Sequence, residues 1–517
     1  MTLRLTQKGG CPRFHGLHCV VDKNHDRAIV NDGVERLKAT TEPQRKRLIS
    51  TLLNDLAEDN LAIFAGAGLS APAGFVSWTE LLRPIAEDLE LETEKETDLV
   101  ALAQYHCNSN LANRGKLNQL LINKLSDDVE ITENHKILAR LPISTYWTTN
   151  YDKLIEKSLT EAGKISDTKY RVKQLSFTKR GRDAVVYKMH GDIDNPDEAV
   201  ITKDDYENYH VKMQPFINAL SGDLVSKTFL FLGFSFTDPN LDYILSRVRI
   251  SYSNDQRQHY CIQKLVAPTT DASQADTEYK IRKQELFIQD LLRFGIKTIL
   301  VSDYSEITDI LHQLEWAYRR KTIFLSGSAH EYGRWKSDEA QYFIYSLSKE
   351  IAALGFRIVS GFGLGVGSSV ITGVLENVYM SGKRLDSEQL ILRPFPQYEV
   401  GKRPISEIWN DYRTDMISYA GIAIFVFGNK IKDGNIVVAD GLIKEFEIAK
   451  NNGLLLIPVG ATEYATREIY NKLSQDGYFD GAEFPKDLRE HINKLADFNS
   501  DLETIKGVLI DLLNSLK

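Results

Sequence analysis

Four short stretches put reactive side chains directly after apolar runs. Gly66-Ala67-Gly68-Leu69-Ser70 follows Leu61–Ala65, and Thr148-Thr149-Asn150-Tyr151-Asp152 closes a run that begins at Ile143. Lys188-Met189-His190-Gly191-Asp192 ends a run from Ala184, and Gly233-Phe234-Ser235-Phe236-Thr237-Asp238-Pro239-Asn240 follows Thr228–Leu232. Glycines between a strand and a helix let backbone N–H groups approach an anion closely, so the first stretch is a candidate phosphate cradle. The other three supply hydroxyls, an amide, carboxylates and an imidazole. A histidine so placed can take a proton from water or a hydroxyl, typically worth ~100–10,000-fold in rate. Taken singly, the Gly66 turn is also readable as a tight strand–helix turn without a ligand, and His190 as a core histidine capping a strand. In an open parallel sheet, however, strand C-terminal ends converge on one crevice, so all four stretches should meet at one site.

A second set lies further along the chain. Phe324-Leu325-Ser326-Gly327-Ser328 is again a run into a Gly-Ser turn, and Ser360-Gly361-Phe362-Gly363-Leu364-Gly365-Val366-Gly367 carries four glycines at alternate positions. Such spacing cannot be the interior of a packed strand and implies close backbone approach. Arg393, Arg413, Lys430 and Glu445 fall at expected strand ends or helix starts around it. Each of these charges could equally be solvated surface.

The elements that must position these residues alternate. Strands are expected at Leu61–Ala65, Ile143–Thr148, Ala184–Met189, Thr228–Leu232, His259–Leu265 and Ile296–Val301, with helical patterns between them, including a stretch over 98–140 and one over 152–162. Ser77-Trp78-Thr79-Glu80 reads as a capping box. The basic segment Leu314–Lys321 reads as a domain joint. The alternation then restarts, with strands at Thr322–Leu325, Phe356–Val359, Gln389–Leu392, Ile422–Phe427 and Leu454–Pro458, and closing amphipathic helices over 485–517. The fold class is therefore α/β: two Rossmann-like domains, each a mostly parallel sheet with helices on both faces. The expected boundaries are 1–44 for an N-terminal extension, 45–318 for the first domain and 319–517 for the second.

Composition narrows the partners. With 517 residues, 43% hydrophobic and 26% charged, each domain can bury a core. A net charge of −8 argues against bulk capture of nucleic acid or anionic membrane. No apolar run approaches the roughly 20 residues that span a bilayer. The start lacks the apolar core of a signal peptide, and four cysteines without framework spacing suit a reducing compartment, so a cytoplasmic location is expected. Residues 1–44 carry Cys11, His15, His18, Cys19 and His25, in no standard zinc spacing; they read as a flexible tail, with a metal site as the alternative. No metal is expected elsewhere.

In this order the first set resembles the sirtuin family, which binds NAD, over roughly residues 45–300: GAGxS, the Asn150/Asp152 element, His190-Gly191, then a late G-x-S turn at Gly233. The resemblance implies that Gly66, Ala67, Gly68 and Ser70 hold the pyrophosphate, with Gly233, Ser235 and Asp238 also on the NAD pocket. It further implies that Asn150 and Asp152 position the nicotinamide-bearing ribose and a water, and that His190 is catalytic. The sirtuin deacylases carry a four-cysteine zinc module, but no CxxC pair occurs here; their GIPxFR stretch reads Gly74-Phe75-Val76-Ser77-Trp78. The chemistry left is cleavage of the nicotinamide–ribose bond with water as acceptor, through an oxocarbenium-like state that oriented polar groups can stabilise.

The second set resembles the SLOG group of nucleotide-binding domains, related to cytokinin-activating phosphoribohydrolases. Of their PGGxGTxxE element only the spacing Gly441 to Glu445 persists. The resemblance implies a binding role: Gly327, Ser328, Gly361, Gly363 and Gly365 at the backbone, Arg413 and Lys430 on phosphates, Glu445 on ribose hydroxyls. A sirtuin-like domain followed by a SLOG domain is the arrangement of the Thoeris antiphage effectors, and TYWTTNYDKLIEK, YKMHGD, FLGFSFTDPNLDYILSRVR and SGFGLGVGS are similar to their signature. That family implies an NAD hydrolase, homotetrameric or larger. It would be activated by a cyclic ADP-ribose isomer from a TIR-domain partner, deplete cellular NAD and cause abortive infection. The alternatives are an NAD-dependent protein deacylase, a non-enzymatic nucleotide sensor, and a SLOG domain that keeps phosphoribohydrolase activity.

Overall fold

A computed structural model describes residues 37–516 apart from 76–77, 94, 97, 126–128, 253–254, 269–272, 383–388, 397, 399–402, 482–483 and 485–487. The cysteines and histidines of the N-terminal extension, and Ser77 of the expected capping box, lie outside the described residues. The chain forms two compact units. Of the described residues, one takes 37–48, Glu58–Lys136 and Ile143–Thr308; the other takes Ile49–Ala57, Ile137–Pro142 and 309–516.

The first unit is built on seven strands: β1 (Leu61–Ala65), β2 (Thr145–Thr148), β3 (Ser166–Lys169), β4 (Ala184–Lys188), β5 (Thr228–Leu232), β6 (His259–Lys264) and β7 (Ile296–Val301). They pair in the order β3-β4-β2-β1-β5-β6-β7, every pairing parallel. The residues of β1, β2 and β5 are buried throughout, as expected of central parallel strands covered on both faces. An aromatic core of Phe64, Trp147, Phe216, Phe229 and Phe231 holds one face, with Trp147 stacked on Tyr187 at 4.3 Å. The helical stretch at 98–140 resolves into Leu99–Ser109, Gly115–Leu125 and Glu133–Arg140; the first break falls at Leu111 and Ala112, both at positive φ.

Sequence patterning gives no sign of β3. Its residues, Ser-Asp-Thr-Lys, are polar, and it is an edge strand held by its ladder to β4 and a buried pair, Lys169 Nζ to Asp167 Oδ1 at 2.8 Å.

The second unit repeats the plan with β8 (Thr322–Ser328), β9 (Arg357–Ser360), β10 (Leu390–Leu392), β11 (Ile422–Phe427), β12 (Asn429–Lys432), β13 (Asn435–Val438) and β14 (Leu455–Pro458). Its main sheet runs β10-β9-β8-β11-β14, all parallel. All six residues of β11 are buried in one core with Phe324, Ile344, Ile358 and Phe446. Strands β12 and β13 form an antiparallel hairpin over Asp433-Gly434, a turn pair whose positive φ values suit the primed hairpin turns. The helices Arg489–Leu495 and Leu502–Ser515 close the chain.

Both sheets place a chemistry-bearing strand at a switch point. Strand β1 lies between β2 and β5, and β8 between β9 and β11. The strand order reverses there, which opens a crevice beyond the strand C-termini.

Candidate functional site

The four polar stretches of the first unit emerge from β2, β1, β5 and β4, and they meet. A cavity of about 670 Å³ is lined by Ala67, Gly68, Ser70, Asn150, Asp152, His190, Gly233, Ser235 and Asp238. Of the residues expected here, Gly66 alone is absent from the wall. It stands behind, because its carbonyl receives the Asn150 side chain.

Local chemistry fixes each group. Thr148 Oγ1 donates to Ala65 O across β1 at 2.9 Å and accepts from Asn150 N at 2.9 Å, which aims the loop after β2. Asn150 Nδ2 then lies 3.0 Å from both Gly66 O and Ser70 Oγ. A carbonyl only accepts, so the NH2 end must face Gly66. Both N–H groups are thereby committed, and the hydrogen-bonding atom left on this side chain is the acceptor Oδ1. Asp152 Oδ1 accepts from Leu154 N at 3.0 Å, starting the helix Leu154–Glu161. The two glycine turns interlock: Gly68 N donates to Gly233 O at 2.9 Å. A Cβ on Gly233, where φ is +63°, would stand 2.1 Å from Leu69 N.

His190 is 2% exposed. Its Nε2 lies 3.3 Å from Asp238 Oδ2 but off the line of a hydrogen bond, and has no hydrogen-bond partner among the described residues. Burial holds the imidazole below its ordinary pKa, opposed by the Asp238 charge. It is thus a neutral base with a buried, unpartnered nitrogen beside Asp238. Asp238 Oδ1 caps the helix Pro239–Tyr252 through Leu241 N at 2.9 Å, as the Asp-Pro pair predicts. Two residues that sequence reasoning missed complete the setting. Tyr206 and Tyr209 meet the imidazole edge-on at 5.5 and 6.0 Å, and Tyr206 Oη lies 3.4 Å from Asp238 Oδ2. Trp78 and Phe234 add apolar wall. Nothing local marks these tyrosines, because only the loop after β4 brings their helix over His190.

In the second unit the structure joins Arg413 and Glu445. Arg413 Nε lies 3.5 Å from Glu445 Oε1, while Ser326 Oγ at the end of β8 donates to Glu445 Oε2 at 2.6 Å. Both charges are buried, and burial raises the Glu445 pKa. Arg413 also lies over the Phe395 ring at 4.8 Å. Lys430, on β12, is half-exposed and paired with Asp440, the residue before Gly441, which lies against the Arg413 guanidinium. Arg393 pairs instead with Asp415 at 2.9 Å. The glycine-rich loop after β9 packs on the end of β8: a Cβ on Gly363 would stand 2.0 Å from Gly327 O. Ala329 N donates to Leu364 O at 2.7 Å, and Tyr332 Oη to Gly365 O at 2.8 Å. Phe362 and Leu364 therefore project outward, Phe362 with a φ of +59°. Ser326 and Phe395 are further residues the sequence did not single out.

Among the described residues, no group of three or more His, Cys, Asp or Glu side chains is arranged for a metal ion. No described helix is long and apolar enough to cross a membrane.

Comparison with known proteins agrees with this division. The SIR2-like domain family matches residues 144–286, and the Sir2- and TIR-associating SLOG family matches residues 306–516. The chain is a SIR2-like domain followed by a SLOG domain. It is 57% identical over 437 residues to NAD(+) hydrolase ThsA of Bacillus cereus (strain MSX-D12), covering 84% of this chain and 91% of that protein. It is 50% identical over 441 residues to NAD(+) hydrolase ThsA of Acinetobacter baumannii (strain 532279), covering 84% and 91%. It is 47% identical over 481 residues to NAD(+) hydrolase ThsA of Cytobacillus dafuensis, covering 91% and 96%. The chain belongs to the ThsA family.

Proposed function

We propose that the chain is an NAD+ glycohydrolase, converting NAD+ and water to nicotinamide and ADP-ribose. The observation that carries this is the convergence of Asn150, whose side chain keeps one free acceptor, and the neutral His190, whose Nε2 has no partner, on one cavity beside the Gly66–Ser70 turn. The backbone of that turn and the Gly233–Ser235 turn would hold the pyrophosphate. As the C1′–nitrogen bond breaks, its electron pair leaves with nicotinamide. Water, oriented by Asn150 Oδ1, attacks C1′ and passes its proton to His190. Asp152 borders the ribose, and Asp238 faces the imidazolium as it forms.

We propose further that the SLOG unit receives a cyclic ADP-ribose-type signal made by a TIR-domain partner. Arg413 and Lys430 would face phosphate and Glu445 the ribose hydroxyls. Signal binding would switch on NAD depletion during phage infection in the cytoplasm, in a homotetramer or larger assembly. An ungated NAD hydrolase would kill its host. Moving the active state from ~1% to ~99% needs a ligand that prefers it about 10,000-fold. The two halves are separable by experiment. Purified chain is incubated with NAD+, with and without cyclic ADP-ribose isomers, and nicotinamide is quantified by chromatography. Release with an isomer, lost in His190→Ala, is expected; no release with any isomer, or an active His190→Ala, refutes the reading.

A further inference from the structure

Lys188, the last residue of β4, is fully buried at 0% exposure. An ammonium there needs a reason, because burial opposes its charge. The reason is a saturated cage. Its three N–H groups meet three acceptors: Tyr151 O at 3.0 Å, Asp152 O and Asp192 Oδ2. Glu156 Oε1, 3.3 Å away, adds charge but receives no hydrogen bond. Burial works against the ammonium, yet the Glu156 and Asp192 carboxylates outweigh it and its pKa is raised. Two of the acceptors are the carbonyls directly after Asn150, and the third is the side chain two residues after His190. The ammonium thus ties together the loops that leave β2 and β4, the two loops carrying the acceptor and the base.

We propose that Lys188 is the positioning residue that sets the separation of Asn150 and His190, acting through those loops without touching substrate. The inference rests on the reading of these two residues as the reacting pair. A planar arginine fork cannot meet three acceptors gathered around one point, so lysine is specifically required.

The test removes the ammonium together with the carboxylate it hydrogen-bonds: Lys188→Met with Asp192→Asn in the full chain, assayed by nicotinamide release under conditions where the parent turns over; burial already raises the Glu156 pKa, so the carboxyl left facing position 188 can take up a proton. Misplacement by about 1 Å costs on the order of 100-fold, so a fall in kcat of about 10- to 100-fold with KM near the parent value is expected. Glu156→Gln removes charge but no hydrogen bond to Lys188, so its kcat should fall less than that of the double variant; an equal or larger fall overturns the geometric reading. A double variant whose kcat stays within about twofold, or falls only in proportion to its folded fraction, overturns the proposal. Should methionine at 188 prevent folding, Asp192→Ala alone, which deletes the side-chain acceptor, is read the same way: unchanged kcat overturns it. Activity lost in His190→Ala but kept in the double variant defeats the clamp alone; activity kept in His190→Ala defeats the underlying reading.

Discussion

Asn150→Asp changes almost no volume and one chemical property: the two N–H groups disappear. Both are in use, to Gly66 O and Ser70 Oγ at 3.0 Å each. Ser70 can rotate its hydroxyl to donate to a carboxylate. Gly66 O cannot, so an oxygen would face an oxygen and one buried acceptor would lose its partner. That costs about 1–3 kcal/mol, and the site would hold its working geometry about 5- to 150-fold less often. The substituted group is nearly buried, so desolvation raises its pKa. Protonated, it regains one donor and can bond Gly66 again. The parent behaves oppositely. Its buried His190 is neutral at and above neutral pH and loses base strength only on the acid side. The variant-to-parent ratio of kcat/KM should therefore be reduced about 5- to 150-fold near pH 8 and rise as pH falls. Nicotinamide release measured across about pH 5–9, with an activating isomer present, reads this directly. A variant equal to the parent near pH 8, or a ratio independent of pH, would refute the assigned orientation of the amide and its place in the reaction.

Two further outcomes test separate parts of the molecule. Gly363→Ala puts a Cβ 2.0 Å from the Gly327 carbonyl, at a residue held in the sheet opposite Val426 of β11; overpacking of about 1–3 kcal/mol should displace the glycine-rich loop and abolish activation by the isomers. NAD+ binding by calorimetry should be unchanged, and loss of both together would contradict two separate sites. His259 is buried, its pKa driven down to about 3 by burial and then by Arg257, and its Nδ1 accepts Phe229 N–H at 3.1 Å. The unfolded chain takes up a proton near pH 6.5 and the folded one does not, so stability falls with falling pH. From about pH 7.5 to 5 this one group accounts for about 2 kcal/mol. His259→Asn keeps an acceptor without titrating, so urea unfolding of the variant should lose about 2 kcal/mol less over that range; equal losses would contradict the assignment.

Much of this protein is legible in local sequence, because strand cores and turns are local chemistry. Leu61–Ala65, Thr228–Leu232 and Ile422–Phe427 are apolar runs with the observed bounds, and the polar residues after the strands had to project from strand ends. Strand β3 escaped because an edge strand needs only a ladder and one buried pair, which Ser-Asp-Thr-Lys supplies without an apolar pattern. The β12–β13 hairpin carries its sign in Asp433-Gly434, a turn pair between two short strands with little apolar alternation of their own. Which polar groups meet was decided only in three dimensions. Lys188 reads as an ordinary strand-end lysine until Tyr151, Asp152 and Asp192 close around it. Tyr206 reads as an amphipathic helix residue until its helix crosses His190, and Ser326 as part of a turn until it faces Glu445 from 119 positions away. Apolar periodicity and turn preference act within a few residues, so the sequence alone determined where strands end and what chemistry hangs from them. Strand order is set by packing the whole core, so only the tertiary structure decided which of those ends share a cavity, and which buried charge holds them in register.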